Sequence, residues 1–160
     1  MTDRTIPAPV PVQRAPRFTR LLDPFAKALL KSGVPLATNV LVTMPGRVSG
    51  QPRTTPLAII EVDGRRWLWS PWGDVQWVRN LRAAGHATIT ARRRSEEVTA
   101  TELDPAERVA FFRDVLAPFA RDMRFGMTFV RVVDGVDLDR PVEEADGRPV
   151  FELHPVSARG

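Results

Sequence analysis

The sequence predicts an α+β domain built mainly from antiparallel strands, a closed or half-closed β-barrel with peripheral helices. Three observations carry this reading. Short apolar stretches follow one another at residues 38–44, 53–62 and 65–71, and again at 86–93, 97–103 and 150–154. Turn residues separate them, most clearly Asp63-Gly64, a strong tight-turn signal. Helical periodicity is confined to blocks inserted among the strands, not alternated with them as in a doubly wound sheet. The chain has 160 residues, 43% hydrophobic and 26% charged, enough for one domain with a substantial core.

The elements follow in order. Residues 1–16 hold Pro7, Pro9, Pro11 and Pro16 and read as a flexible arm, with 17–160 as the single domain. Phe18, Leu21, Leu22, Phe25, Leu29 and Leu30 repeat at helical spacing, with Asp23 as N-cap, Pro24 in the first turn and Gly33 as the stop. The apolar face of this helix packs on the barrel or makes peripheral contact with a membrane. After the first three strands, a short helix runs from Gly73-Asp74 to Ala84 and is closed by Gly85. The next two strands are joined near Arg94-Ser95-Glu96. Asp104-Pro105 with Glu107 starts another helix, whose core face is Val109, Phe112, Leu116 and Phe119. Residues 125–133 read equally as helix or strand, 134–147 as turns, and 150–154 as a last strand.

Composition excludes several chemistries. There is no cysteine, so disulfides and thiolate catalysis are absent. His86 and His154 are far apart and no metal-ligand spacing occurs, so no metal site is expected. Tyrosine is absent too, and no proton donor or other catalytic residue can be assigned. The net charge of +4 is carried almost wholly by arginine. These arginines are spread along the chain without a helix-turn-helix or zinc pattern, so nucleic acid is not an expected partner. No apolar run reaches membrane-spanning length and the N-terminus lacks a signal-peptide core, which points to a cytoplasmic protein, with peripheral membrane contact as a variant.

The most informative segment is G-R-V-S-G-Q-P-R-T-T-P-L, residues 46–57. It reads as a strand–turn–strand whose turn carries Arg47, Ser49, Gly50 and Arg53. Glycine lets a ligand approach the backbone, and arginines with turn N–H groups bind anions. Thr54 and Thr55 add hydroxyls, while Thr55, Pro56 and Leu57 also read simply as a strand edge. Trp67, Trp69, Trp72 and Trp77 fall within eleven residues. Trp67 and Trp69 share a strand face, and with Trp77 they read first as core. Trp72, in a turn between Pro71 and Gly73, is the better candidate for a wall beside a planar ligand. N–H groups at Gly73-Asp74 are placed to meet an anion or a ring oxygen.

Two motifs, L-V-T-M-P-G-R-V-S-G-Q-P-R-T-T-P-L and V-D-G-R-R-W-L-W-S-P-W-G-D-V-Q-W-V-R-N-L-R-A-A-G, resemble the two signatures of the deazaflavin (coenzyme F-420)-dependent nitroreductase family. The resemblance covers roughly residues 34–101. It implies a split β-barrel of the flavin-reductase kind that binds coenzyme F-420, an anionic hydride carrier. It also implies hydride transfer to a quinone, nitroaromatic or activated alkene. The positions that the resemblance implies bind the cofactor are Arg47, Ser49, Gly50, Arg53, Thr54, Pro56, Ser70, Pro71, Trp72, Gly73, Trp77 and Asn80. Asn80, in W-x-x-N-L, reads as support for a neighbouring loop backbone. The chain departs from the common pattern in the shorter P-W-G-D-V-Q-W, where many members carry two adjacent glycines and a proline. An FMN-dependent reductase of the same barrel, and a non-catalytic protein holding a cofactor or lipid, are the alternatives.

Overall fold

A computed structural model describes residues 39–124 and 126–157. The proline arm and the helix expected within the first 33 residues lie outside them. Seven strands form one antiparallel sheet: β1 (Asn39–Pro45), β2 (Pro52–Ala58), β3 (Ile60–Val62), β4 (Arg65–Trp69), β5 (His86–Ala91), β6 (Arg94–Glu102) and β7 (Val150–Pro155), in the order β2-β1-β5-β6-β7-β4-β3.

That order settles the curvature. β2 and β3 are the two edges of the sheet, yet only Ile59 separates them in sequence. Two peptide links span at most about 7 Å, whereas a flat sheet of this width would put its edges about 29 Å apart. The sheet is therefore rolled so that its edges come together at Ile59, in line with the closed or half-closed barrel expected. The single strand expected over 53–62 is in fact β2 and β3. It pairs with β1 in its first half and β4 in its second, changing neighbours at the buried Ile59.

Alternation places the core. Val40, Val42 and Met44 of β1, Leu68 of β4, Ala87 and Ile89 of β5, Val98 of β6 and Phe151 and Leu153 of β7 point inward. The first helix, α1 (Gln76–Ala84), adds Trp77, Val78 and Leu81 to that interior. It plugs the barrel end where β1, β4 and β6 finish and β5 and β7 begin, as the antiparallel registers require. Gly85 closes it at φ 71, its N–H bonded to Leu81 O.

A second core lies outside the barrel. Trp67 and Trp69 share the outer face of β4, as alternation requires, and meet a helical layer. That layer is α2 (Pro105–Ala110), a wider π-helical stretch (Phe111–Leu116), and α3 (Ala117–Asp122). Asp104 accepts from Glu107 N–H and Glu107 answers to Asp104 N–H, a reciprocal cap that fixes the start. The ring of Trp67 lies 5.7 Å from Phe111, and that of Trp69 lies 5.6 Å from Phe112.

Several boundaries differ from the sequence reading. β5 and β6 are joined by a two-residue turn at Arg92 and Arg93, both at positive φ, and Arg94-Ser95-Glu96 already belongs to β6. Those three residues are exposed, so no apolar alternation marks them as strand. The ambiguous stretch after 125 is helical: α4 (Gly126–Phe129) continues as a π-helical stretch (Val130–Asp134). The turn-rich stretch that follows contains α5 (Pro141–Ala145), started by Pro141.

Candidate functional site

The residues singled out by sequence gather at the barrel end that α1 plugs. The β1–β2 turn and the loop from Ser70 to Val75 both lie there, and α1 joins them. Arg47 Nη1 donates to Gln76 Oε1 at 2.8 Å and to Asn80 Oδ1 at 3.1 Å. Arg47 N–H donates to the same Asn80 oxygen at 3.2 Å. Asn80, only 9% exposed, thus does support a neighbouring loop backbone. Helical spacing puts Gln76 and Asn80 one turn apart on the same face, which lets one guanidinium reach both.

The turn itself is tightly hydrogen-bonded. Gly46 N–H donates to Gln51 O and Gly50 N–H to Gly46 O, each at 2.8 Å, and Gln51 N–H donates to Ser49 Oγ at 3.3 Å. Gly50 sits at φ 69, where a Cβ is disfavoured. Four of the turn's N–H groups, at Gly46, Arg47, Gly50 and Gln51, are therefore spent within the protein. The side-chain donors that remain for a ligand are Arg53, the rest of the Arg47 guanidinium, and the Ser49 hydroxyl. Arg53 is exposed and has no carboxylate partner among the described residues. Most described arginines are paired with a carboxylate, as Arg79 and Arg82 are with Asp74.

The electrostatics of α1 sharpen the point. No side chain caps its N-terminus and its first turn carries no acid. Asp74, just before it, accepts from Arg79 and Arg82 instead, which hold its carboxyl below the usual carboxylate range. Gly73 sits at φ 77, outside the helical region, and Val75 N–H turns back to Gly73 O at 3.0 Å, so the helix begins at Gln76 and not at Gly73-Asp74, with Val75 in the cap position. Arg47 therefore adds a positive charge to the positive end of a helix dipole, a placement unfavourable by about 0.3–1 kcal/mol that an anion would reverse.

Strand register splits the remaining candidates between two faces. Arg53 lies opposite Met44 and Thr55 opposite Val42, on the barrel-facing side. Thr54 and Pro56 lie opposite Thr43 and Leu41, on the outer side. The Thr54 hydroxyl is within 2.8 Å of that of Thr43. Leu57 packs against the inner core, as a strand leucine should.

In the second loop, Ser70 is fully buried and its hydroxyl donates to Gly73 O at 2.7 Å. Its role is to close the turn. Pro71 is half-buried, and Trp72 is 55% exposed, unlike the other tryptophans. Gly73 adopts φ 77, and a Cβ there would lie 3.2 Å from Gly147 O. Trp77 is 9% exposed with its ring 6.1 Å from Phe151, so it belongs to the core. Sequence reasoning missed Arg148, whose Nε donates to Pro71 O at 3.0 Å. A lone arginine in a turn-rich stretch far along the chain gave no signal for it. Among the described residues no cluster could hold a metal ion, and no helix is long and apolar enough to cross a membrane.

Residues 27–128 match the F420H(2)-dependent quinone reductase family. No curated protein matches the sequence. Among solved structures, an F420-H2 dependent reductase (FDR-A) is similar at 21% identity and TM-score 0.45, over 73% of this chain and 94% of that one. The heme storage protein HutZ from Vibrio cholerae is similar at 15% identity and TM-score 0.48, over 86% and 92%. A protein related to general stress protein 26, of the pyridoxinephosphate oxidase family, from Clostridium acetobutylicum is similar at 14% identity and TM-score 0.46, over 85% and 84%.

Proposed function

The chain belongs to the F420H(2)-dependent quinone reductase family, a family of oxidoreductases, and from that membership we propose that it reduces a small acceptor with reduced coenzyme F-420. The acceptor class is a quinone, nitroaromatic or activated alkene. One observation carries the cofactor assignment. Arg47 is held by Gln76 and Asn80 at the uncapped end of α1, with Arg53 nearby on the same hairpin and without a carboxylate partner among the described residues. That donor set fits a phosphate or carboxylate, the chemistry of the charged end of the deazaflavin.

The residues divide the work. Arg47, Arg53 and Ser49 bind the anionic end. Asn80 and Gln76 orient Arg47. Ser70, Pro71 and Gly73 shape the loop on which Trp72 stands as a wall for the planar ring and the acceptor. Bound, the reduced deazaflavin supplies a hydride, and the acceptor completes its reduction with a proton from water. The protein's part is to position the two molecules and limit solvent access; no buried acid or base is needed at the turn. FMN as the alternative cofactor draws no support from the family.

Titration of the purified chain with F-420, followed by tryptophan fluorescence, tests the reading, with FMN titrated in parallel. Quenching by F-420, and loss of reduced F-420 absorbance on adding a quinone, are expected. Saturable binding of FMN without binding of F-420 would overturn the proposal.

A further inference from the structure

We propose that Arg148 is a positioning residue of this site, setting the acceptor side by fixing the loop that carries Trp72; this rests on the function proposed above. Arg148 lies between α5 and β7. Its Nε donates to Pro71 O at 3.0 Å, while Nη1 donates to Glu144 O at 2.9 Å and lies 2.8 Å from Glu144 Oε2. One planar fork thus ties a carbonyl of the Trp72 loop to the end of a helix in another layer. The contact is sheltered, with side-chain exposures of 22% for Arg148 and 18% for Glu144.

The neighbouring contacts make this a continuous seam. Ser70 N–H donates to Pro149 O at 3.0 Å. Gly73, at φ 77, comes so close to Gly147 O that a Cβ would have only 3.2 Å. Residues 144–149 therefore underlie the loop from Ser70 to Gly73 along its length. On the other side, Asp74 is held by Arg79 and Arg82. Among these contacts, the Arg148 fork is the one that a side chain makes between the loop and residues 144–149. Glu144 already balances its charge, so Arg148 is not a further anion-binding arginine like Arg53. Lysine offers a point charge with no fixed fork and cannot reproduce both carbonyl contacts in one geometry.

The test uses Arg148→Lys, alone and with Trp72→Ala, with Arg66→Lys as a control. Arg66 pairs with Glu96 away from this loop. Measured are the F-420 dissociation constant, KM and kcat for a short-chain benzoquinone, acrylamide quenching of tryptophan in the ligand-free protein, and the melting temperature. For Arg148→Lys we expect KM for the quinone to rise about tenfold, kcat and F-420 affinity to change less than about threefold, and tryptophan to become more accessible. In the Trp72→Ala background the same substitution should have no further effect on KM, because the arginine acts through that ring. Additive effects, or a lower melting temperature with unchanged KM and quenching, would overturn the proposal. If the wild-type chain fails to bind F-420, the proposed function fails. The acrylamide comparison then decides separately whether Arg148 holds the loop.

Discussion

Replacing Asn80 with alanine should uncouple the β1–β2 turn from α1. The Asn80 side-chain oxygen accepts two hydrogen bonds from Arg47, one from its backbone at 3.2 Å and one from its guanidinium at 3.1 Å. A neutral bond contributes about 0.5–1.5 kcal/mol and a charge-assisted one about 1.5–3. Both end on one oxygen, and Arg47 is exposed, keeps Gln76 and can turn to water. The expected net loss is therefore about 1–3 kcal/mol, read from urea denaturation. The released turn should weaken F-420 binding about tenfold, equivalent to about 1.4 kcal/mol. A double-mutant cycle with Arg47→Ala, which keeps the backbone N–H, isolates the guanidinium contact and should show coupling of at least about 0.5 kcal/mol. Asn80→Asp adds a discriminating arm. It keeps the acceptor and the turn but neutralises Arg47, so stability should be retained while affinity for the anionic cofactor falls. Loss of stability with unchanged F-420 affinity in both variants would refute the link between this turn and the ligand.

Other outcomes are expected. Arg53→Ala should leave stability within about 0.5 kcal/mol, since the side chain is exposed, and weaken F-420 binding by about 1.5–3 kcal/mol; unchanged affinity in titration would remove Arg53 from the site. Trp67→Ala should cost about 3–5 kcal/mol in chemical denaturation, because Trp67 is 3% exposed, packs on Phe111 and lies under Arg65. Trp72→Ala should instead mainly alter ligand binding, and the reverse pattern would mean that the two roles are exchanged. Burial raises the Asp134 carboxyl to about 7. The folded state then holds a proton that the unfolded chain has lost above about pH 4, so stability should fall from about pH 4 to pH 7 and level off above, by up to about 4 kcal/mol. Asp134→Asn should flatten that slope and stabilise the protein at pH 8; parallel pH–stability curves for the two proteins would refute this.

Much of the architecture is local chemistry and so is legible in the chain. Asp63-Gly64 can hardly be anything but a tight turn, and both residues take positive φ. Asp104, Pro105 and Glu107 specify a helix start by reciprocal hydrogen bonds within four residues. Gly85 ends α1 because only a residue without a Cβ enters the left-handed region there cheaply. The paired motifs likewise marked the turn of Arg47 and Arg53 and the helix of Asn80, because the donors lie close together in sequence. What sequence could not decide depends on contacts between distant segments. The edge-to-edge closure through Ile59 exists only because β2 and β3 choose different partners, which no period in the residues reveals. Gly73-Asp74 reads as a helix start, yet Gly73 takes φ 77 against the packed Gly147 carbonyl and the helix begins only at Gln76. The turn N–H groups at Gly46, Arg47, Gly50 and Gln51 look available to a ligand until the turn and Asn80 are seen to use them. Arg148 stands 77 positions from Pro71, and its meaning appears only when the barrel brings α5 and β7 beneath the Trp72 loop. Local backbone preferences and short-range hydrogen bonds are encoded where they act; which donor reaches which acceptor across the barrel is a consequence of how the whole sheet rolls up.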